Sequence, residues 1–489
     1  MKTYVSDIVT CDIIKKLKTG QNYLIGSEMG SGKNFWTRNK LLPYAIENNK
    51  KVLLVVHRIA IKGQQNHYLQ SYKEECVKKF KGDIFEIQSY QSLEQMVKNG
   101  RTSFIDDYDY IICDEAHYFV KDSSMNPNTV YFYEYLNDNN TAVKVFLTGT
   151  YESFSYLPWK NKMTCLKQAD YNHSNVKEIY CYQDKDLIKS VIEEKISKGQ
   201  KVLMIVGDKK IGQEFKNKIN AKTYFMTANK KDSSEFSKIT ENNTFESDLL
   251  ISTSLICEGV EIKDPNIKTI VLDGIDDLEL IAQSSARIRD GEVVLFVNQP
   301  SYQKIINRFM KYDNKLNMIE EFEQLGYLEY EQKYGYETIH QSHDFLLTSQ
   351  IASDNNQNEL ILKLNSCAVA NLQYNYDMYQ NIIEVGFKVA LKKYFPSAVI
   401  YNYDELVKDG LIIKNIIDNF MGKQLFKEEQ QMLKGLLIRE YGLRKSLGVN
   451  KINEHFEENH INFRLISDRE KKRQSPNYNK TYWILEKVA

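Results

Sequence analysis

Asn22-Tyr23-Leu24-Ile25-Gly26-Ser27-Glu28-Met29-Gly30-Ser31-Gly32-Lys33-Asn34 decides how this 489-residue chain is read. A short strand-like run, Asn22–Gly26, enters a glycine-rich loop that opens directly into a helical stretch. Glycines let a backbone wrap phosphate groups with its N–H groups pointing inward, and the lysine at the end reaches the terminal phosphates. The candidate phosphate-binding residues are Ser27, Met29, Gly30, Ser31, Gly32, Lys33 and Asn34. A glycine-rich loop alone is an ordinary turn; the order strand, Gly-x-Gly-Lys, helix is what makes it specific. The position after the lysine ordinarily carries Ser or Thr, whose hydroxyl ligates magnesium. Here it is Asn34; an amide oxygen can also coordinate magnesium, and Thr37 lies one turn onward.

Further along, Ile111-Ile112-Cys113-Asp114-Glu115-Ala116-His117 sets two adjacent carboxylates at the end of another apolar run. Asp114 suits a magnesium ligand, and Glu115 suits a base that orients and deprotonates an attacking water. Adjacent acidic residues are common on surfaces. Behind an apolar strand and downstream of a phosphate loop, they become specific.

Around these two motifs, short β-branched runs alternate with amphipathic helical stretches through the first 300 residues, as a parallel α/β sheet requires. The expected strands are 22–26, 51–56, 84–88, 110–113 and 143–147, then 177–181, 202–206, 223–225, 249–252, 269–272 and 293–297. Residues that look chemical fall just past the C-terminal ends of these strands, where open α/β sheets place ligands. The aperiodic stretch Tyr151–Asn175 separates two consecutive α/β domains. After Pro300 the pattern turns to long helices, expected over 301–325 and 358–394, with a polar loop Ser353–Asn358 between them. Near the end, helices at 427–440, 443–447 and 451–458 precede strands at 462–466 and 481–485. These strands flank the basic loop Ser467–Asn477. Helix-turn-helix followed by a basic hairpin is the winged-helix pattern. The expected domains are therefore 1–160, 161–300, 301–420 and 421–489.

Composition narrows the functional classes. Apolar residues are 42% and charged residues 27%, which is globular; 65 basic against 65 acidic residues leave no net charge. A polybasic coat is thereby excluded, while a local basic groove is allowed. No apolar run approaches the ~18 residues of a membrane span, and the charged N-terminus reads unlike a secretory leader. Seven scattered cysteines without C-x-x-C spacing argue against zinc or disulfides and for a reducing cytoplasm. His340 and His343 read as a solvated turn. Only eleven of the basic residues are arginine, with none between Arg101 and Arg287. Two then arrive together in Gln283-Ser284-Ser285-Ala286-Arg287-Ile288-Arg289-Asp290. A planar, permanently charged fork suits the stabilisation of a transferring phosphoryl group.

In these motifs the chain resembles superfamily 2 helicases and translocases with a DEAH-type box, over about residues 20–298. His57-Arg58 is similar to motif Ia, Gln88-Ser89-Tyr90-Gln91-Ser92-Leu93 to motif Ib, and Thr148-Gly149-Thr150 to motif III. Thr253-Ser254-Leu255-Ile256-Cys257-Glu258-Gly259-Val260-Glu261 is similar to motif V, and the Gln283–Asp290 stretch to motif VI. The Met-Gly-Ser-Gly-Lys loop and the Arg-Ile-Arg-Asp ending look most like origin-binding helicases of herpesvirus type and their phage or mobile-element relatives.

The resemblance implies an α/β fold of two tandem RecA-like domains closing on ATP and Mg2+, followed by the helical region and the winged-helix-like module. The catalytic residues it implies are Lys33, Asp114, Glu115, Gln283, Arg287 and Arg289. Gly259 joins the nucleotide-binding set, and Asn34 and Asp114 form the metal set. The second arginine stands six residues after Gln283 rather than seven, so Arg287 is the expected finger. Arg289 is either a second finger or an interface residue. Arg58, Ser89, Gln91 and Thr253 are the implied phosphate contacts to nucleic acid; each is equally readable as a helix cap or a solvated side chain. In the hairpin, Arg469, Lys471, Lys472 and Arg473 are expected to meet a nucleic-acid backbone or to separate strands. The expected function is an ATP-dependent DNA helicase or translocase in replication or repair of a phage, plasmid or similar element. The alternatives are an antiviral-defence ATPase and an ATP-gated DNA clamp with weak hydrolysis. DNA is favoured over RNA, with a replication or defence protein as partner and no membrane.

Overall fold

The computed structural model describes residues 4–27, 30–57, 85–139, 141–168, 175–227, 234–257, 262–288, 291–335, 346–354, 357–408, 420–441, 448–458 and 461–488. The chain folds as two units, Met1–Ile400 and Tyr401–Ala489.

In the first unit, the runs Asn22–Gly26 (β1), Val52–Val56 (β2), Phe85–Ser89 (β3), Tyr110–Asp114 (β4), Val143–Thr148 (β5) and Met163–Lys167 (β6) form one sheet, in the order β3-β2-β4-β5-β1-β6. All its pairings are parallel. Strands β1, β2, β4 and β5 are buried along their whole length, as strands covered by helices on both faces must be. Lys144 is the charged exception in β5. It is fully buried, and its ammonium donates to the carbonyls of Leu136 (2.8 Å) and Asn139, closing the end of the helix Thr129–Asp138.

The second sheet of this unit uses Val176–Tyr182 (β7), Lys201–Val206 (β8), Thr223–Met226 (β9), Leu249–Ser252 (β10), Ile267–Asp273 (β11) and Val293–Asn298 (β12). Its order is β7-β12-β11-β8-β10-β9, again parallel, with a further strand beside β7 that begins at Val399. Two consecutive parallel α/β domains are thus present. β6 was not expected from the sequence: it is an edge strand with half-exposed and exposed residues and carries no apolar signature.

The region after Pro300 departs from the all-helical expectation. The helix Tyr302–Tyr334 is longer than read and breaks at Gly326, where φ is 73°. Leu347–Asp354 and Gln357–Leu364 then form an antiparallel hairpin, so the helical reading of 358–364 is wrong. Leu360-Ile361-Leu362 is a short apolar run, which periodicity cannot assign to helix or strand. The expected helix begins at Ser366 and runs to Val385, followed after Gly386 by Phe387–Lys392.

The second unit holds helices Lys427–Tyr441 and Val449–Glu458 and the antiparallel strands Phe463–Arg469 and Thr481–Lys487. Leu433, Leu437, Ile452, Phe456, Leu465 and Leu485 are buried. The expected helix 443–447 lies outside the described residues. Among the described residues no helix is long and apolar enough to cross a membrane.

Candidate active site

The phosphate loop leaves β1 at Ser27. Gly30 (φ 74°) and Gly32 (φ 86°) both take left-handed backbone, which glycine adopts without steric cost. Lys33 is buried and its ammonium donates to the Ser27 carbonyl at 2.8 Å, folding the side chain back over the loop. The Ser31 hydroxyl donates to that of Ser27 at 2.9 Å. A segment the sequence did not single out braces the loop from outside. Val5 N–H donates to the Ser31 carbonyl (2.9 Å), and the Trp36 indole N–H donates to the Val9 carbonyl (2.8 Å).

Thr37 lies one turn beyond Lys33. It is buried and its Oγ1 donates to the carbonyl of Lys33 at 3.3 Å, the back-bond to the preceding turn. Asn34 is exposed at the loop end.

Strand order brings the motifs together. β5 lies between β4 and β1, so the ends of β4 (Asp114), β5 (Thr148) and β1 (Ser27) stand side by side. Backbone bonds fix them there: Ala116 N–H to the Leu147 carbonyl and Ser27 N–H to the Thr148 carbonyl, both 2.9 Å. Asp114 is buried and its Oδ1 accepts from Glu115 N–H at 3.1 Å. Glu115 has φ 52°, a left-handed conformation rare for a residue with a side chain and concentrated at functional sites. Its Oε2 is buried without a hydrogen-bond partner, with His117 Nδ1 3.6 Å away. Burial pushes its carboxyl up, but Lys33, His117, Arg287 and His57 together outweigh this and hold it below the ordinary carboxylate range. Glu115 is thus an ionised, desolvated carboxylate with a free acceptor oxygen, as a base for water requires. These donors and glycines fit a magnesium-bound triphosphate.

His117 links this centre to the second domain. Its Nδ1 lies 3.1 Å from the Thr148 hydroxyl, and its Nε2 lies 3.3 Å from the Gln283 amide nitrogen. Thr148 Oγ1 donates to the Thr150 carbonyl, so it accepts from His117 Nδ1–H, and Nε2 accepts from Gln283. One neutral tautomer satisfies both contacts, and burial accordingly pushes the His117 pKa down to about 4. The Gln283 amide nitrogen is also 3.3 Å from Thr150 Oγ1. Arg287, buried on the same second-domain segment, acts electrostatically on Glu115. Lys33, Glu115, Gln283 and Arg287 are therefore gathered in one place; Met29, Gly259 and Arg289 lie outside the described residues.

The expected nucleic-acid contacts divide. Arg58 lies outside the described residues. His57, beside it, faces inward: Nε2 is 3.0 Å from Asp122 Oδ2 and the ring packs edge-on against Tyr118. Ser89 caps the helix Tyr90–Lys98, its Oγ accepting from Ser92 N–H at 3.2 Å. Gln91 and Thr253 are half-buried just past β3 and β10. In the second unit, Arg469, Lys471, Lys472 and Arg473 are all exposed. Glu470 between them is buried and accepts from Lys472 N–H at 2.8 Å, so the acidic residue shapes the loop while the basic ones face out.

Residues 4–153 match the family model of the type III restriction enzyme, res subunit. That span holds the phosphate loop, Asp114, Glu115 and Thr148–Thr150. The match takes in 150 of the 489 residues. Among solved structures it is similar to Mss116p bound to ssRNA and AMP-PNP (14% identity, TM-score 0.43, covering 62% of this chain and 78% of that one). It is also similar to the helicase Lhr of Mycobacterium smegmatis bound to ssDNA and AMP-PNP (11%, 0.45, 74% and 58%). A third likeness is to the Hef helicase domain of Pyrococcus furiosus (12%, 0.37, 61% and 96%). No curated protein sequence matches the chain.

Proposed function

We propose that this ATPase moves along a nucleic-acid strand, with DNA preferred, by cycling its two RecA-like domains between closed and open states. The observation that carries the reading is the Gln283 amide, which reaches from the second domain to His117 and Thr150 in the first. Such a contact exists only when the cleft is closed, so hydrolysis at one end and domain motion at the other share a residue. Lys33 and the loop N–H groups would hold the phosphates, Asp114 and Asn34 would hold the magnesium, Glu115 would take the proton from water, and Arg287 would offset charge on the phosphoryl oxygens. Magnesium, when bound, neutralises charge between the phosphates.

The exposed Arg469, Lys471, Lys472 and Arg473 support a winged-helix-like module that meets a duplex backbone, and hence DNA. Replication or repair of a phage, plasmid or similar element is the setting we favour. A second reading, an ATP-gated DNA clamp with slow turnover, draws support from Asn34. The residue at the metal-hydroxyl position is an amide. Glu115→Gln separates binding from hydrolysis: it removes the base but keeps the shape. Retained ATP binding with abolished turnover is the expected result. Normal hydrolysis by Glu115→Gln removes Glu115 from the role.

A further inference from the structure

Beyond the motif residues, the two α/β domains meet at a second, partly buried polar contact. Lys121 ends the short helix Tyr118–Lys121 that follows His117. Its ammonium lies 2.7 Å from Asp277 Oδ2 and 3.0 Å from Glu279 Oε2, both in the second domain. Asp277 caps the helix Leu278–Ser285, accepting from Glu279 N–H and Leu280 N–H. The Glu279 side chain is 1% exposed, and its Oε1 accepts from Ser153 N–H of the first domain at 3.1 Å.

The spacing ties this contact to the active site. Lys121 stands four residues after His117, and Glu279 four residues before Gln283, about one helical turn in each case. Lys121–Glu279 and His117–Gln283 are consecutive rungs across one seam. The helix Ser366–Val385 seals that seam. Lys121 Nζ sits 4.0 Å from the Tyr374 ring centroid, and the Tyr374 hydroxyl donates to Asp277 Oδ1 at 3.3 Å. The same helix belongs to both cores. Cys367 and Ala370 pack with Phe119 and Val120 of the first domain. Tyr379 and Ile382 pack with Leu278 and Ile281 of the second.

We infer that Lys121 and Glu279 are positioning residues that hold the Gln283–Arg287 segment in register with Glu115, and that the accessory helix sets this register through Tyr374. The inference rests on the ATPase reading of that site. Removing Lys121 leaves two acidic groups at the seam without their cation, and a carboxylate buried as deeply as Glu279 does not stay there unpaired. The helix Leu278–Ser285 must then shift and carry Gln283 with it, while the phosphate loop is untouched.

The test uses Lys121→Met, Glu279→Gln and Tyr374→Phe in the full chain, with steady-state ATP hydrolysis and AMP-PNP binding measured on each. For Lys121→Met and Glu279→Gln, kcat is expected to fall about tenfold or more while AMP-PNP affinity stays within about threefold. Tyr374→Phe loses one hydroxyl and is expected to lose about threefold in kcat. Residues acting through one seam are non-additive, so Lys121→Met added to Gln283→Ala is expected to cost under about threefold more. Full additivity, or unchanged kcat in Lys121→Met and Glu279→Gln, overturns the inference. If Lys121→Met does not fold, judged by circular dichroism, the other two variants carry the test. Small-angle scattering without nucleotide gives a readout independent of hydrolysis: the seam variants should have a larger radius of gyration than the wild type. If the wild type hydrolyses no ATP, the ATPase reading fails while scattering still decides whether the seam holds the domains; equal radii then reject the seam as well.

Discussion

Gln283→Ala is the perturbation whose consequence can be worked most fully. The Gln283 side chain is buried and its amide nitrogen makes two contacts across the domains, to His117 Nε2 and Thr150 Oγ1, each 3.3 Å. Alanine leaves both atoms in place. His117 Nε2 becomes a buried acceptor without a donor, since Nδ1 carries the proton that faces Thr148. Thr150 is buried too. An unsatisfied buried polar group costs about 1–3 kcal/mol, and taking about 2 kcal/mol for the pair shifts the closed-to-open equilibrium roughly 30-fold. Opening the cleft lets water reach both atoms, so the cost falls on the closed state alone. The kcat for ATP hydrolysis with saturating single-stranded DNA should therefore drop about 30-fold, with AMP-PNP affinity nearly unchanged because Lys33 and its loop are intact. A coupled-enzyme ATPase assay reads the first and fluorescence titration the second. A kcat within about twofold of wild type, or a loss confined to KM, would refute the coupling role of Gln283.

Three further outcomes are expected. His117 titrates at about 4 in the fold against about 6.5 unfolded, so the folded chain binds fewer protons between these values. Its contribution is complete above pH 6.5 and is lost as pH falls toward 4, at about 1.4 kcal/mol per unit. Chemical denaturation at pH 7 and 5 should show the wild type losing about 2 kcal/mol more than His117→Gln. Replacing Arg469, Lys471, Lys472 and Arg473 with alanine should weaken DNA binding and flatten its dependence on log salt by up to about 3–4, measured by titration across a salt series. Asn34→Thr should raise turnover severalfold if the metal lacks a hydroxyl ligand; unchanged kcat would show that the Asn34 amide suffices.

What could be read from the sequence follows from where information is local. Strands such as β2 and β4 are buried on both faces, so runs of consecutive apolar positions (Val52–Val56 and Tyr110–Cys113) announce them. The half-exposed edge strand Met163–Lys167 and the hairpin at 347–364 carry no such signature. Within the site, Lys33, Asp114 and Glu115 were legible because loop and strand end are contiguous in sequence. Lys121 and Glu279 were not: they lie 158 residues apart, and each alone reads as a solvated charge on a short helix. Ser89 takes the cap alternative.

The measurement closest to the central claim is ATP hydrolysis by the purified protein, alone and then with single-stranded DNA, forked duplex DNA and single-stranded RNA at one fixed salt concentration. A closed two-domain site coupled to a strand predicts slow basal turnover that DNA stimulates and RNA does not. Stimulation by RNA alone would contradict the DNA assignment, and absence of turnover with every substrate would contradict the ATPase account itself.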